Sequence, residues 1–186
     1  MLFVTGYGSA IAEVINTKSC GSTANLPDYP LGSNTYYTNG GVLDDIPIIC
    51  GGYAGGYIDE CYKFDKGTNS WVLFATLPKG RAMYHAVTLA SKGALWLIGG
   101  KWAQNGYHKD TDMVFLNGTV LPGPTLPTAR IDLCAVELHD GRVLIMGKPL
   151  ILVINLVLVV ICKNVKLKSS QKLSKGQHPR TKGHRV

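Results

Sequence analysis

Short apolar blocks separated by turn-forming residues run along most of the chain. Three of these blocks end in glycine: Ile48-Ile49-Cys50-Gly51-Gly52, Leu95-Trp96-Leu97-Ile98-Gly99-Gly100 and Val143-Leu144-Ile145-Met146-Gly147. Their first glycines, at positions 51, 99 and 147, are 48 residues apart each time. Because no apolar period of 3.6 residues lasts more than a turn or two, the pattern predicts short strands and no long helix.

A second set of blocks follows the same spacing. Strand-like runs at 13–16, 62–65 and 114–117 each end in Asn or Asp, which favour turns, and Leu-Pro pairs stand at 26–27, 77–78 and 126–127. A weaker copy of the glycine-ended run, Leu2 to Gly6, lacks the basic start of a signal peptide, so a strand is favoured there. A period near 50 with several short strands predicts radially repeated β-sheets.

The second unit resembles the kelch-repeat β-propeller family. The residues that carry the resemblance are the pair Gly51-Gly52, the segment from Phe64 to Trp71, then Leu77-Pro78, Arg81, His85 and the pair Gly99-Gly100. The resemblance implies that they are structural repeat residues.

The neighbouring units resemble the family with losses. The third unit keeps Leu126-Pro127 and Arg130, with Val120 in the Trp slot, Leu116 in the aromatic slot and Cys134 at the position of His85. In the first unit Ile15 fills the aromatic slot and Pro30 stands where Arg would be. The last double glycine is broken, as Gly147-Lys148.

The resemblance implies an all-β fold: an incomplete kelch-type propeller over residues 1–148, with two full and two partial four-stranded blades. Its units would span about 1–25, 26–77, 77–126 and 126–148. Because propellers close with about four to eight blades, we expect a fragment or truncated product of a longer propeller, with missing blades needed to close the ring. Residues 149–186 would form a tail outside the propeller.

Charge separates the tail from the body. The net charge of +7 combines 10 Lys/Arg and 12 Asp/Glu up to Gly147 with 9 Lys/Arg and no acid afterwards. The basic tract has no aromatic stacking residues, so a disordered tail is favoured over a nucleic-acid-binding segment. The apolar run 150–162 would reach about 20 Å as a helix, short of the ~30 Å membrane core. A β-rich segment is therefore favoured over a membrane anchor.

The five cysteines, Cys20, Cys50, Cys61, Cys134 and Cys162, have no zinc-site spacing. Cys50 and Cys61 would face each other if their strands are antiparallel neighbours, Cys20 is an alternative partner, and buried free thiols remain the third alternative. Some extracellular invertebrate kelch proteins look similar at these positions. Together with the Asn117-Gly118-Thr119 sequon, this favours an extracellular parent, although the location stays undetermined.

No catalytic, metal or cofactor site is predicted, and the chain is not expected to be an enzyme. Predicted loops at 53–59 and 101–111 carry exposed aromatic residues that we expect to contact a protein partner: Tyr53, Tyr57, Trp102, Tyr107 and His108. The alternatives are a fragment of a propeller enzyme, of the copper oxidase or glycan-modifying type, and a product with no independent function.

Overall fold

The chain folds as antiparallel β-sheets. A computed structural model describes residues 2–5, 12–16, 21–32, 34–147 and 158–161, with side chains for 26–32 and 34–147. The helical structure in this part of the chain is one short 3-10 turn, Ala90–Lys92. The all-β prediction is therefore confirmed.

Four antiparallel meanders follow one another along the chain. Sheet 1 contains β1 (Leu2–Thr5), β2 (Ala12–Asn16) and β3 (Gly21–Leu26). Sheet 2 contains β4 (Asn39–Leu43), β5 (Ile46–Cys50), β6 (Glu60–Asp65) and β7 (Ser70–Thr76). Sheet 3 contains β8 (His85–Leu89), β9 (Ala94–Ile98), β12 (Thr111–Phe115) and β13 (Val120–Pro122). Sheet 4 contains β14 (Cys134–Glu137), β15 (Arg142–Met146) and β16 (Leu158–Ile161), and a small hairpin, β10 (Lys101–Ala103) with β11 (Gly106–Tyr107), lies between β9 and β12.

Sheets 2, 3 and 4 pack face to face in sequence order. Leu43 and Ile48 of sheet 2 share a buried core with Leu95 and Leu97 of sheet 3. On the other face of β9, Trp96 and Ile98 share a second core with Val143 and Ile145 of sheet 4. Every residue of β9 is buried because sheets cover both of its faces, which accounts for its uninterrupted apolar sequence.

The outer face of sheet 2 carries a third core. Phe64 and Trp71 stand directly opposite each other on β6 and β7, with their rings edge to face at 5.6 Å. The indole N–H of Trp71 donates to the carbonyl oxygen of Pro27 at 2.7 Å. The connection that precedes sheet 2 is thereby fastened to that sheet.

The strand register of sheet 3 corrects the assignment of Leu116 to the aromatic slot. Phe64 pairs with Trp71, and the residue that pairs with Val120 is Val114 rather than Leu116. Leu116 lies in the turn after β12. The sequence placed it wrongly because the pairing depends on hairpin geometry and not on the position of the Asn that ends the apolar run.

One face of sheet 4 is exposed in the part of the chain that the structure describes. Its pairs Cys134–Met146 and Val136–Leu144 stand at the same positions, relative to the glycine after the strand, as His85–Ile98 and Val87–Trp96 in sheet 3. Val136 is 48% exposed, whereas Val87 is 6% exposed. Val87 is buried because sheet 4 covers its face of sheet 3. No described residue covers the face of sheet 4 on which Val136 lies, so Val136 is exposed.

Part of the predicted tail belongs to a sheet. β16 lies within the apolar run and pairs with β15. No helix in the described ranges is long and apolar enough to cross a membrane. The basic tract and Cys162 lie outside the described residues, as does Cys20.

A disulfide joins the two central strands of sheet 2. Cys50 and Cys61 are directly paired on β5 and β6 and form the bond, with both side chains in the core shared with sheet 3. This confirms the pairing expected if the strands are antiparallel neighbours. Cys134 is a free, exposed thiol.

We expect the double substitution Cys50→Ala with Cys61→Ala to lower the free energy of unfolding by about 2–4 kcal/mol, because the bond restricts the unfolded chain. Urea unfolding followed by tryptophan fluorescence measures the change. Cys134→Ser is the matched control and should alter stability by less than about 0.5 kcal/mol. Equal effects of the two variants would contradict a stabilising disulfide.

Candidate functional site

The antiparallel topology sorts the connections between strands into two ends. We call one the loop end, where the chain leaves β5 and β9 and passes between sheets, and the other the turn end. The connections at the loop end are 27–38, 51–59, 77–84, 99–110 and 123–133. The connections at the turn end are tight: 44–45, 66–69, 90–93, 116–119 and 138–141. Long connections therefore gather on one side of the sheets.

The aromatic residues predicted to bind a partner all lie at the loop end. Tyr53 is 37% exposed and Trp102 is 42% exposed. Tyr57 and Tyr107 are half-buried. The rings of Tyr53 and Tyr57 meet edge to face at 5.2 Å.

Two further tyrosines extend this surface, which we call the aromatic strip. Its members are Tyr36, Tyr37, Tyr53, Tyr57, Trp102 and Tyr107. Tyr36 and Tyr53 exchange main-chain hydrogen bonds of 2.9 and 2.8 Å, which hold the connection before sheet 2 against the β5–β6 loop. Tyr36 and Tyr37 are not among the contact residues predicted from the sequence, although their Tyr-Tyr doublet between two units was a signal for them.

The connection 77–84 joins the loops of sheets 2 and 3. Ala82 and Lys101 exchange main-chain hydrogen bonds of 2.9 and 2.7 Å. On the other side, a Cβ atom on Gly80 would lie 2.2 Å from the carbonyl oxygen of Tyr57, so that only glycine permits this approach. The strip therefore rests on hydrogen-bonded main chain.

Two lysines lie over aromatic rings of the strip. Lys79 places its Nζ 4.5 Å from the ring centroid of Trp102. Lys101 places its Nζ 5.6 Å from the ring centroid of Tyr107. Such cation–π contacts are worth about 0.5–1 kcal/mol at exposed sites and hold these rings in position. The segment 101–107, predicted as a loop, forms the β10–β11 hairpin instead, because Lys101 pairs with Tyr107.

The double glycines lie beneath the strip at the contacts between units. The N–H of Gly52 donates to the carbonyl oxygen of Arg81 at 2.7 Å, and the N–H of Gly100 donates to that of Arg130 at 2.7 Å. Both glycines have positive φ angles, +112° and +100°. Each pair thus binds the main chain of the unit that follows it.

The first glycine of each pair is required by close approach. A Cβ atom on Gly51 would lie 2.3 Å from the Arg81 carbonyl oxygen, and one on Gly99 would lie 2.6 Å from that of Arg130. Any larger residue would push consecutive sheets apart. The geometry assigns the glycines a packing role.

The Arg81 side chain is buried, and both Nη atoms of its guanidinium group have hydrogen-bond partners. It donates to the carbonyl oxygens of Gly99 and Asp110 and forms an ion pair with Asp112, with 2.6 Å between Arg81 Nη2 and Asp112 Oδ2. Arg130 repeats one of these contacts by donating to the carbonyl oxygen of Gly147 at 2.8 Å. Each arginine therefore holds the glycine that directly follows a central strand, Gly99 after β9 and Gly147 after β15.

In sheet 2, Tyr29 and Tyr62 stand where sheet 3 has the Arg81–Asp112 ion pair. Pro30 occupies the sequence position of the arginine, and the neighbouring Tyr29 instead donates its hydroxyl to the carbonyl oxygen of Gly51 at 3.5 Å. The Tyr29 ring packs against Tyr62, whose position on β6 corresponds to that of Asp112 on β12. Burial, with a hydrogen bond to Glu60, raises the pKa of Tyr62 to about 12. A neutral pair thus replaces the ion pair.

His108 is buried rather than exposed, which makes its assignment to a partner-binding surface wrong. Its Nε2 lies 3.2 Å from the carbonyl oxygen of Gly80, which accepts the ring proton. Burial and the nearby Arg81 charge lower the pKa of His108 to about 4, so its ring is neutral near pH 7. The sequence could not show this because the burial comes from residues of another connection.

His85, the histidine at a repeat position, lies between two sheets. Burial lowers its pKa, and a hydrogen bond with the main chain of Ala135 in sheet 4 acts in the opposite direction. Among the residues described by the structure, no three His, Cys, Asp or Glu side chains are grouped to hold a metal ion. Comparisons with protein-family models and with curated proteins found no match.

The low pKa of His108 predicts a pH dependence of stability. Between pH 6.5, the ordinary value, and about 4 the unfolded chain binds a proton that the folded chain does not, so stability falls as the pH falls. We expect this residue to account for a loss of up to about 3 kcal/mol. Urea unfolding of the unmodified chain and of His108→Gln from pH 7 to pH 4.5 isolates the contribution. The same pH slope in both proteins would contradict the assignment.

Proposed function

We propose that this chain is part of a kelch-type β-propeller and that it binds a protein partner through the aromatic strip. The propeller proposal is supported by meanders whose glycine-ended strands β5, β9 and β15 begin at 46, 94 and 142, a constant interval of 48 residues. The glycine–arginine contacts at two successive sheet boundaries have the same geometry. Repeated contacts of this kind are expected of stacked repeat units.

The aromatic strip is the observation that carries the binding proposal. Its aromatic rings lie on connections at the loop end of sheets 2 and 3, and Tyr53 and Trp102 are well exposed. Main-chain hydrogen bonds fix the base of the strip, so little entropy is lost when a partner docks. Tyr and Trp are the residue types most enriched among the energetically dominant residues of protein interfaces.

We also propose that a further four-stranded unit covers the open face of sheet 4 in the complete protein. The face presents Val136 and Met146, which have the same pairing positions as the buried Val87 and Ile98. Exposed apolar sheet faces of this kind mark contact surfaces. The disulfide in the core between sheets 2 and 3 supports an oxidising, extracellular or secretory setting for the parent protein.

We expect Tyr57→Ala and Trp102→Ala each to weaken partner binding by about 5- to 30-fold, because interface aromatics typically contribute 1–2 kcal/mol or more. The measurement first captures partner proteins from extracellular fluid on the immobilised chain. The captured protein is then titrated against the unmodified chain and against each variant to give the Kd values. Leu121→Ala is the matched control, since Leu121 is similarly exposed on the outer strand β13 and is not a member of the strip.

The alanine variants also test the site itself. A partner lost equally from Leu121→Ala would place the interface elsewhere. A partner retained by both strip variants would remove the assignment of the strip. All three variants should stay folded, with the free energy of unfolding lowered by no more than about 2 kcal/mol, because each substitution removes exposed or half-buried atoms and a few ring contacts.

A matched pair of valines tests the proposal of a further unit. Val87→Lys should destabilise the 186-residue chain by more than about 3 kcal/mol, since it buries a charge, whereas Val136→Lys should change it by less than about 0.5 kcal/mol. In a longer chain that continues the repeat after Gly147, Val136→Lys should become as destabilising as Val87→Lys. Urea unfolding of both chains makes the comparison, and an unchanged effect in the longer chain would refute the covering unit.

A further inference from the structure

The turn that connects β12 and β13 carries the single Asn-x-Ser/Thr sequon of the sequence, Asn117-Gly118-Thr119. Both Asn117 and Thr119 are exposed. Such a tripeptide accepts an N-linked glycan when it is accessible in a chain that enters the secretory pathway. The position therefore meets the first requirement of an acceptor site.

The geometry of the turn holds the asparagine amide outward. The turn is closed by hydrogen bonds from Phe115 N–H to the Thr119 carbonyl oxygen at 3.0 Å and from Gly118 N–H to the Phe115 carbonyl oxygen at 2.9 Å. The N–H of Thr119 donates to Asn117 Oδ1 at 3.0 Å. Because the amide is planar and its oxygen faces the turn, its Nδ2 faces away from it.

The middle residue of the sequon is fixed by packing. Gly118 has a φ angle of +87°, and a Cβ atom there would lie 2.5 Å from the carbonyl oxygen of Phe74 on β7. The turn thus rests on the outer strand of sheet 2. Glycine at this position is compatible with glycosylation, which excludes only proline.

The Cys50–Cys61 disulfide supplies an independent observation about the compartment. Both cysteines are completely buried in the core between sheets 2 and 3. A disulfide there must form while the chain folds, which requires an oxidising compartment such as the one in which N-linked glycans are added. The disulfide and the sequon therefore point to the same folding environment.

We propose that Asn117 carries an N-linked glycan. The donor is a lipid-diphosphate-linked oligosaccharide. The Asn117 Nδ2 forms a bond to the anomeric carbon of the first sugar, the bond between that carbon and the diphosphate oxygen breaks, and the amide gives up one proton as the lipid diphosphate leaves. No oxidant or reductant takes part.

The glycan would lie far from the aromatic strip. Asn117 stands at the turn end of sheet 3, whereas Trp102 and Tyr107 belong to the loop end of the same sheet, beyond the opposite ends of its strands. A glycan at Asn117 leaves the strip uncovered. The glycan proposal does not depend on the binding proposal, and either can fail without the other.

The full chain, secreted from a eukaryotic cell line behind a cleavable signal sequence, provides the test. We expect an intact mass above that of the polypeptide, and we expect peptide-N-glycosidase to remove the excess and leave aspartate at position 117. Thr119→Ala should abolish the excess mass, and Thr119→Ser should retain it. Both variants keep Asn117 and the main chain of the turn.

Thiol counting on each secreted protein shows that folding is intact. The Cys50 and Cys61 thiols should be unreactive after denaturation without reductant in the unmodified chain and in both Thr119 variants. A secreted chain with this disulfide but no glycan on the Asn117 peptide would overturn the proposal. A glycan that persists in Thr119→Ala would overturn it as well.

Discussion

The contact between each glycine pair and the arginine main chain of the next unit is the constraint on which the rest of the structure depends. Gly52 and Gly100 donate to the Arg81 and Arg130 carbonyl oxygens, and no side chain fits at the glycine that precedes each of them. This close approach sets the distance between sheets, so that the faces of β9 can both be buried. The Arg81 and Arg130 side chains then hold the strand ends of their own sheets. The local contact between glycine and arginine main chain thereby determines how the sheets stack.

The same contact decides what lies at the loop end. Connection 77–84, which carries Arg81, must pass between the β5–β6 loop and the β10–β11 hairpin, and it therefore joins the two halves of the aromatic strip. Asp112 balances the buried charge of Arg81, and the burial of His108, together with that nearby charge, lowers the pKa of His108 and keeps its ring neutral. In sheet 2, Tyr29 and Tyr62 do the same packing without charge. A buried ion pair must be matched by hydrogen bonds if it is not to destabilise the fold, and the Gly99 and Asp110 carbonyls supply them.

The two ends of the sheets are suited to different tasks. At the loop end, long connections present aromatic rings on a main chain fixed by hydrogen bonds. At the turn end, tight connections such as 116–119 expose small polar groups, including the Asn117 amide. The disulfide between β5 and β6 lies in the core between sheets 2 and 3 and joins neighbouring strands within sheet 2. A partner at one end and a glycan at the other are therefore sterically compatible.

The sequence by itself determined the short strands and their 48-residue interval, because both depend on residues near one another in the chain. It left Cys50–Cys61, a pairing with Cys20 and free thiols as alternatives, and the pairing of β5 with β6 decided among them. It also placed Tyr53, Tyr57, Trp102 and Tyr107 in connections rather than in strand cores, apart from the short β10–β11 hairpin. Only the tertiary structure decided that Tyr29 replaces the expected arginine, that His108 is buried, and that Val114 rather than Leu116 pairs with Val120. Those features depend on which main-chain groups meet between connections 20 to 50 residues apart and on hairpin register, and no local pattern of apolar residues specifies either.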